Sequence, residues 1–243
     1  MVKSSTKPDA WTLSPQMTAS PNDWRDTKMC LPFWESPGPV GTVYDIRRNE
    51  FLSVNNADAQ HNIIMTPGGP GFSTQSNDTN AGAISYNAQV LPVGNSGDEW
   101  SILIAGTFRE TADPEQTLVG IDDSWLIRIE AGPTINLRTF GSGNSFSPPN
   151  WDVSKDEFHT LVMNWRAGVS VQMSWDGEDL GTISQSDTSS TSNVLDVGHR
   201  GAQDHIKTKT KVVLIEGSDK ARSVADSNRL SADPFAMLRP AGF

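Results

Sequence analysis

An all-β protein built from two antiparallel sheets packed face to face is what this sequence predicts. Three observations predict it. From Phe158 to Ile183 apolar and polar residues alternate with a period of two through three consecutive segments. Similar short runs recur along the chain between turn clusters rich in Gly, Asn, Asp and Pro. Helical signal is confined to the C-terminal end.

Residues 1–28 carry Pro8, Pro15 and Pro21 among Ser, Thr, Asp and Lys, and no regular period survives these prolines. Trp11 and Trp24 distinguish the stretch from a disordered tail, which is poor in aromatic residues. The expectation is an extended arm over residues 1–28, with Trp11 and Trp24 as assembly contacts on its own domain or on a neighbouring subunit. One sandwich domain over residues 29–243 follows it.

Leu31 to Trp34 reads as a short strand, Glu35 to Pro39 as a turn, and Val40 to Ile46 as strand again. The segment from Asp58 to Ser96 is rich in Gly, Asn, Ser and Pro and is expected to be mostly loop, with strands near Ala83–Tyr86 and Gln89–Val93. Loops of this length on a β framework are places of recognition or equally packing covers. Ile102 to Phe108 is apolar on both sides, as a central strand should be. Trp125 to Glu130 and Ile135 to Thr139 form a hairpin about Gly132-Pro133, and Gly141 to Pro149 reads as loop.

The meander comes next. Leu161, Met163 and Trp165 precede the Arg166-Ala167-Gly168 turn, and Val169, Val171, Met173 and Trp175 alternate with polar residues expected to face water. Asp176-Gly177 marks the second hairpin, because Gly tolerates positive φ. Val194 to Val197 and Lys211 to Glu216 add two strands. Asp233 followed by Pro234 predicts the start of a short helix carrying Phe235, Met237 and Leu238.

The 243 residues carry a formal net charge of −10, which argues against a nucleic-acid groove. Membrane insertion is not expected, since the apolar stretch near Ile102 to Ala105 is far too short to cross a bilayer. The opening residues MVKSSTKPDAW lack the apolar core of a secretory signal, and a single cysteine, Cys30, rules out an intrachain disulfide. Both fit folding in a reducing cytoplasm, with Cys30 as a buried core thiol, although the cysteine count also permits a secreted protein without disulfides.

Retaining glycoside hydrolysis requires two carboxyl groups about 5 Å apart, but Glu178-Asp179 is expected in a hairpin turn and Asp122-Asp123 are adjacent, so each pair points to opposite faces and reads as solvated turn acids. His61, His159, His199 and His205 are scattered, without the spacing of a zinc site. A G-x-S-x-G nucleophile elbow is absent, and Gly68-Gly69-Pro70-Gly71 lacks the Lys and helix of a phosphate loop. The chain has eight tryptophans and two tyrosines. Trp125, Trp165 and Trp175 occupy strand patterns and belong in the core, whereas Trp151, between Pro148-Pro149-Asn150 and Asp152, is the exposed candidate for a glycan contact.

Four segments, in order, resemble the concanavalin A-like lectin/glucanase superfamily, in particular its laminin-G-like jelly-roll domains. Leu31-Pro32-Phe33-Trp34-Glu35-Ser36 with Gly41-Thr42-Val43-Tyr44-Asp45 resembles the opening strand and its return. Glu99-Trp100-Ser101-Ile102 with Gly106-Thr107-Phe108-Arg109 resembles a central strand, and Phe158-His159-Thr160-Leu161 leading to Trp175-Asp176-Gly177 resembles the meander. Leu195 to Gly198 and Val212 to Glu216 precede a tail from Leu230 to Pro240 that resembles the ending of such domains in bacteriophage-encoded proteins. The stretch between Asp45 and Trp100 departs from the family as a long insert.

The resemblance implies a two-sheet jelly roll and a non-enzymatic virion protein, such as a head decoration, a fibre or a tail appendage. Such a protein is assembled in the host cytoplasm with other virion proteins, and a closed homo-oligomer such as a trimer is natural for it. The fold also admits cell-surface glycans as partners. Relatives often hold calcium with loop oxygens, for which Asp122, Asp123, Asp176 and Asp204 are available. The alternative is a stand-alone glycan-binding lectin, and a glycoside hydrolase fits less well because the acid pattern is missing.

Overall fold

Period-two alternation becomes paired strands in the computed structural model, which describes residues 25–34, 38–39, 41–54, 61–66, 69–74, 84–86, 89–109, 115–122, 124–139, 142–188, 192–198 and 210–238. In chain order the first strands are β1 (Thr27–Leu31), β2 (Gly38–Pro39), β3 (Thr42–Asp45), β4 (Glu50–Ser53), β5 (His61–Thr66), β6 (Gly69–Thr74), β7 (Ile84–Tyr86) and β8 (Glu99–Thr107). Then follow β9 (Gln116–Ile121), β10 (Trp125–Glu130), β11 (Thr134–Thr139), β12 (Ser142–Phe146), β13 (Phe158–Arg166), β14 (Ser170–Trp175), β15 (Glu178–Ser184), β16 (Leu195–Val197) and β17 (Lys211–Ser218). Helix α1 spans Val224–Ala232, and a single 3-10 turn covers Ala236–Leu238.

One sheet runs β15-β14-β13-β8-β17-β6-β5-β2, with β1 also paired to β17; the other runs β12-β11-β10-β9-β16-β7, and β3-β4 form a separate ribbon. Their pairings are antiparallel, so the fold is the all-β sandwich expected. Between the sheets lie Trp100, Trp125, Trp165 and Trp175 with the inward Ile, Leu, Val and Met side chains. Trp100 packs 4.5 Å from Trp125 and 5.5 Å from Trp165, centroid to centroid.

A second apolar cluster seals the outside of the larger sheet. Cys30, Leu103, Ala105, Val162 and Leu214 point outward from it and meet Leu230, Met237 and Leu238. Beside this cluster the even face of the meander, expected to be wet, is covered by α1. Asn164 donates to Ser227 Oγ at 2.7 Å, Ser174 Oγ donates to Asn228 Oδ1 at 2.7 Å, and Gln172 donates to Asp179 at 2.7 Å. Polar residues on a strand face therefore recorded a polar cover here rather than solvent.

The helix itself begins upstream of the expected position. Ser223 caps it by accepting from Asp226 N at 3.1 Å, and Asp233 closes it as the C-cap residue while its carbonyl, accepting from Ala236 N at 3.1 Å, opens the 3-10 turn that stands where the short helix was expected. The signal was present as Ser223-Val224-Ala225-Asp226, a capping-box spacing. Ser223→Ala should cost about 1 kcal/mol in urea unfolding.

Three other expectations are corrected. The stretch 58–96 contains the hairpin strands β5 and β6; Gly71 masks the strand signal because Val213 and Lys211 pack where its side chain would be, at 3.3 and 3.4 Å. Residues 89–93 form no strand: Trp125 Nε1 donates to Pro92 O at 3.1 Å and Thr188 Oγ1 to Val93 O at 2.9 Å, so side chains take those carbonyls. The loop expected at 141–149 holds β12, which pairs along β11.

Candidate functional site

Catalytic chemistry would need converging groups, so their placement comes first. His159 Nδ1 lies 2.7 Å from Asp176 Oδ2, and the ring stacks on Trp175 at 4.8 Å. Asp176 Oδ1 accepts from Thr160 N at 2.7 Å. The remaining ring nitrogen, Nε2, is buried without a hydrogen-bond partner, with Glu157 4.0 Å away. A nucleophile activated by this pair would have to sit at Nε2, and among the described residues none is bonded there.

Asp179 accepts from Gln172 and from Gly181 N, which makes it part of the strand's own bonding. Among the described residues, His, Cys, Asp and Glu side chains do not gather in groups of three or more that could hold a metal ion. Asp123 and Asp204, two of the four residues offered for calcium, lie outside the described residues, as do His199, His205, Trp11 and Trp24.

Trp151 is not a surface platform. It is 6% exposed, donates from Nε1 to Phe108 O at 2.9 Å, and packs against Trp175 at 5.5 Å. Asn150, with φ 60°, sits at the bend before it, and the prolines that looked like surface sequence precede a ring that belongs to the core.

The outer face of the smaller sheet is polar. Its cross-strand row reads Ser85, Asp196, Gly120, Leu126, Arg138 and Gly143. Ser85 donates to Asp196 at 2.6 Å, and burial, then the charge of Asp122, raises the Asp196 carboxyl above its ordinary value. The next row contains Thr117, Arg128 and Asn136, with Arg128 paired to Glu115. Thr117 Oγ1 and Asn136 Oδ1 are buried there without hydrogen-bond partners, which leaves unused bonding capacity on this face.

Asp45, at the end of β3, joins the two sheets. Its Oδ1 accepts from Cys30 N of β1 at 3.1 Å, Arg47 N at 2.8 Å and Arg48 N at 3.1 Å, while Oδ2 accepts from Tyr86 OH of β7 at 2.6 Å. The carboxylate is fully buried. It fixes the β3-β4 ribbon across one side of the sandwich, with Val43 and Leu52 turned into the core and Thr42, Tyr44, Phe51 and Ser53 turned outward. Sequence reasoning assigned Asp45 only to a strand and did not single out Phe51. A carboxylate between apolar strand residues and the following Arg47-Arg48-Asn49 turn was the available signal.

No protein-family model matches the chain, and no curated protein matches it either. Solved structures do resemble it. A structure described as cell entry of botulinum neurotoxin type C dependent upon interaction with two ganglioside molecules shares 16% identity at a TM-score of 0.59, over 86% of this chain and 51% of that one. Trypanosoma rangeli sialidase, in complex with a difluoro-KDN, shares 11% at 0.59 over 86% of this chain and 33% of that one. The binding domain of Paraclostridial Mosquitocidal Protein 1 shares 12% at 0.55, over 87% of this chain and 53% of that one. The chain thus spans about half the length of the toxin domains and a third of the sialidase. At these identities the likeness concerns architecture: the chain shares a β-sandwich fold with these proteins.

Proposed function

We propose that this chain is a non-catalytic, lectin-like module of a bacteriophage particle, which holds cell-surface glycans and neighbouring virion proteins. The observation that carries the non-catalytic reading is the placement of its acids. Asp45, Asp176, Asp179 and Asp196 are each engaged by donors of the protein's own frame, rather than facing one another across a cleft. The fold likeness to toxin binding domains supports a binding role. The virion reading draws on the phage-like tail from Leu230 to Pro240, and the buried single thiol Cys30 is compatible with cytoplasmic assembly.

Two measurements test it. Mass spectrometry of purified particles from the producing host should find the chain, and its absence would overturn the virion reading. The full chain on a glycan array, with and without chelator, should bind without releasing reducing sugar from polysaccharide. Sustained turnover would overturn the non-catalytic reading.

A further inference from the structure

Given that glycan-binding reading, we infer that the outward face of the β3-β4 ribbon is a stacking subsite for a neutral sugar, with Phe51 as its platform. The ribbon pairs Thr42 with Ser53 and Tyr44 with Phe51 on one face. Phe51 is 44% exposed, and the other large apolar side chains exposed among the described residues are valines elsewhere in the chain. Its ring lies 4.9 Å from that of Tyr44 at a 49° tilt. Tyr44 leans on the outer apolar cluster, and its hydroxyl donates to Asn49 Oδ1 at 2.5 Å.

A pyranose presents an apolar C–H face and a rim of hydroxyls. The first suits an aromatic ring that is wet on one side, and the second suits short hydroxyl and amide side chains at the ring's margin. Thr42 and Ser53 stand on one side of the aromatic pair and Asn49 at the turn on the other, so both kinds of contact are present. A single aromatic pair on a two-stranded ribbon is narrow for a protein partner, which needs a continuous patch several times larger.

The class of sugar follows from charge. Thr42, Tyr44, Asn49, Phe51 and Ser53 carry no charge, and the chain's net charge of −10 disfavours an acidic glycan. The nearby arginines are engaged elsewhere: Arg47 Nε donates to Thr27 O at 2.7 Å, and Arg48 pairs with Glu50 and lies 5.9 Å from the Tyr86 ring centroid. The Asp45 bonds hold the ribbon in place before a ligand arrives, so little ordering entropy is lost on binding.

The test uses the full chain, first on an array of neutral and sialylated oligosaccharides, then by calorimetric titration of the strongest binder against wild type, Phe51→Ala and Phe51→Trp. The expected result is a neutral ligand whose affinity falls about tenfold or more in Phe51→Ala and is kept in Phe51→Trp. Both variants should retain the wild-type circular dichroism spectrum, because the ring stands at the surface. Undiminished binding by Phe51→Ala would overturn the subsite and leave the glycan reading standing. Preference for sialylated ligands would overturn the sugar class. A wild type that binds no member of the array would overturn the glycan reading itself, and the subsite with it.

Discussion

Asp45→Ala should destabilise the protein by about 4 kcal/mol, because it strips a buried carboxylate from three backbone N–H groups and one phenol at once. Two of the donors left behind, Cys30 N and Tyr86 OH, are buried, where water cannot replace the lost acceptor. Asp45→Asn keeps one carbonyl oxygen for the backbone donors, and Tyr86→Phe removes a single bond, so each should cost about 1–2 kcal/mol. Equilibrium urea unfolding of the three variants checks the order. An alanine variant within about 1 kcal/mol of wild type would mean that the ribbon is held by its apolar contacts alone.

The same residue gives a pH dependence. Burial raises the Asp45 carboxyl above its ordinary value of 3.8, against the opposing pull of Tyr86 OH and the N–H groups of Arg48, Cys30 and Arg47. A carboxyl raised on folding favours the protonated folded state. Its contribution is therefore fully present below pH 3.8 and is lost as the pH climbs through the raised folded value. Wild type should lose stability relative to Asp45→Asn across the interval just above pH 3.8, and a flat difference between the two would contradict this.

Gly106→Ala should cost about 3 kcal/mol by a different route. Gly106 sits in β8 between His159 of β13 and Val212 of β17. A Cβ there would fall 2.2 Å from Lys211 O and 3.1 Å from Val212 Cα. Both are backbone atoms, so no rotamer change relieves the clash; the two strands must part where their register already shifts between Val212 and Leu214. Thermal and urea unfolding should both report the loss. A wild-type midpoint would show that this junction yields more easily than its pairing suggests.

How much of this was legible in the sequence depended on whether a residue's neighbours were local. The meander was, since its alternation survives in β13, β14 and β15, and Asp176-Gly177 falls at the turn between the last two. β9 carries no alternation because all six of its residues are buried, so nothing in its pattern separated it from a loop. β6 was hidden by Gly71, which serves close packing rather than a turn. Trp151 misled because its prolines and Asn150 are surface-type residues, whereas its partners, Phe108 and Trp175, are far away in sequence. Asp45 is the sharpest case. Its donors include Cys30, fifteen positions earlier, and Tyr86, forty-one later, and no spacing rule connects them.

The free margin of the larger sheet shapes how such molecules can crowd together. At β15 the pairing with β14 slips between Gln172 and Ser174, Gly181 takes φ +95°, and Glu178 and Asp179 stand exposed. An incoming strand would meet a kink and two negative charges, so ribbon cannot add to ribbon along that border. Copies at high concentration are thereby kept from knitting together through this border.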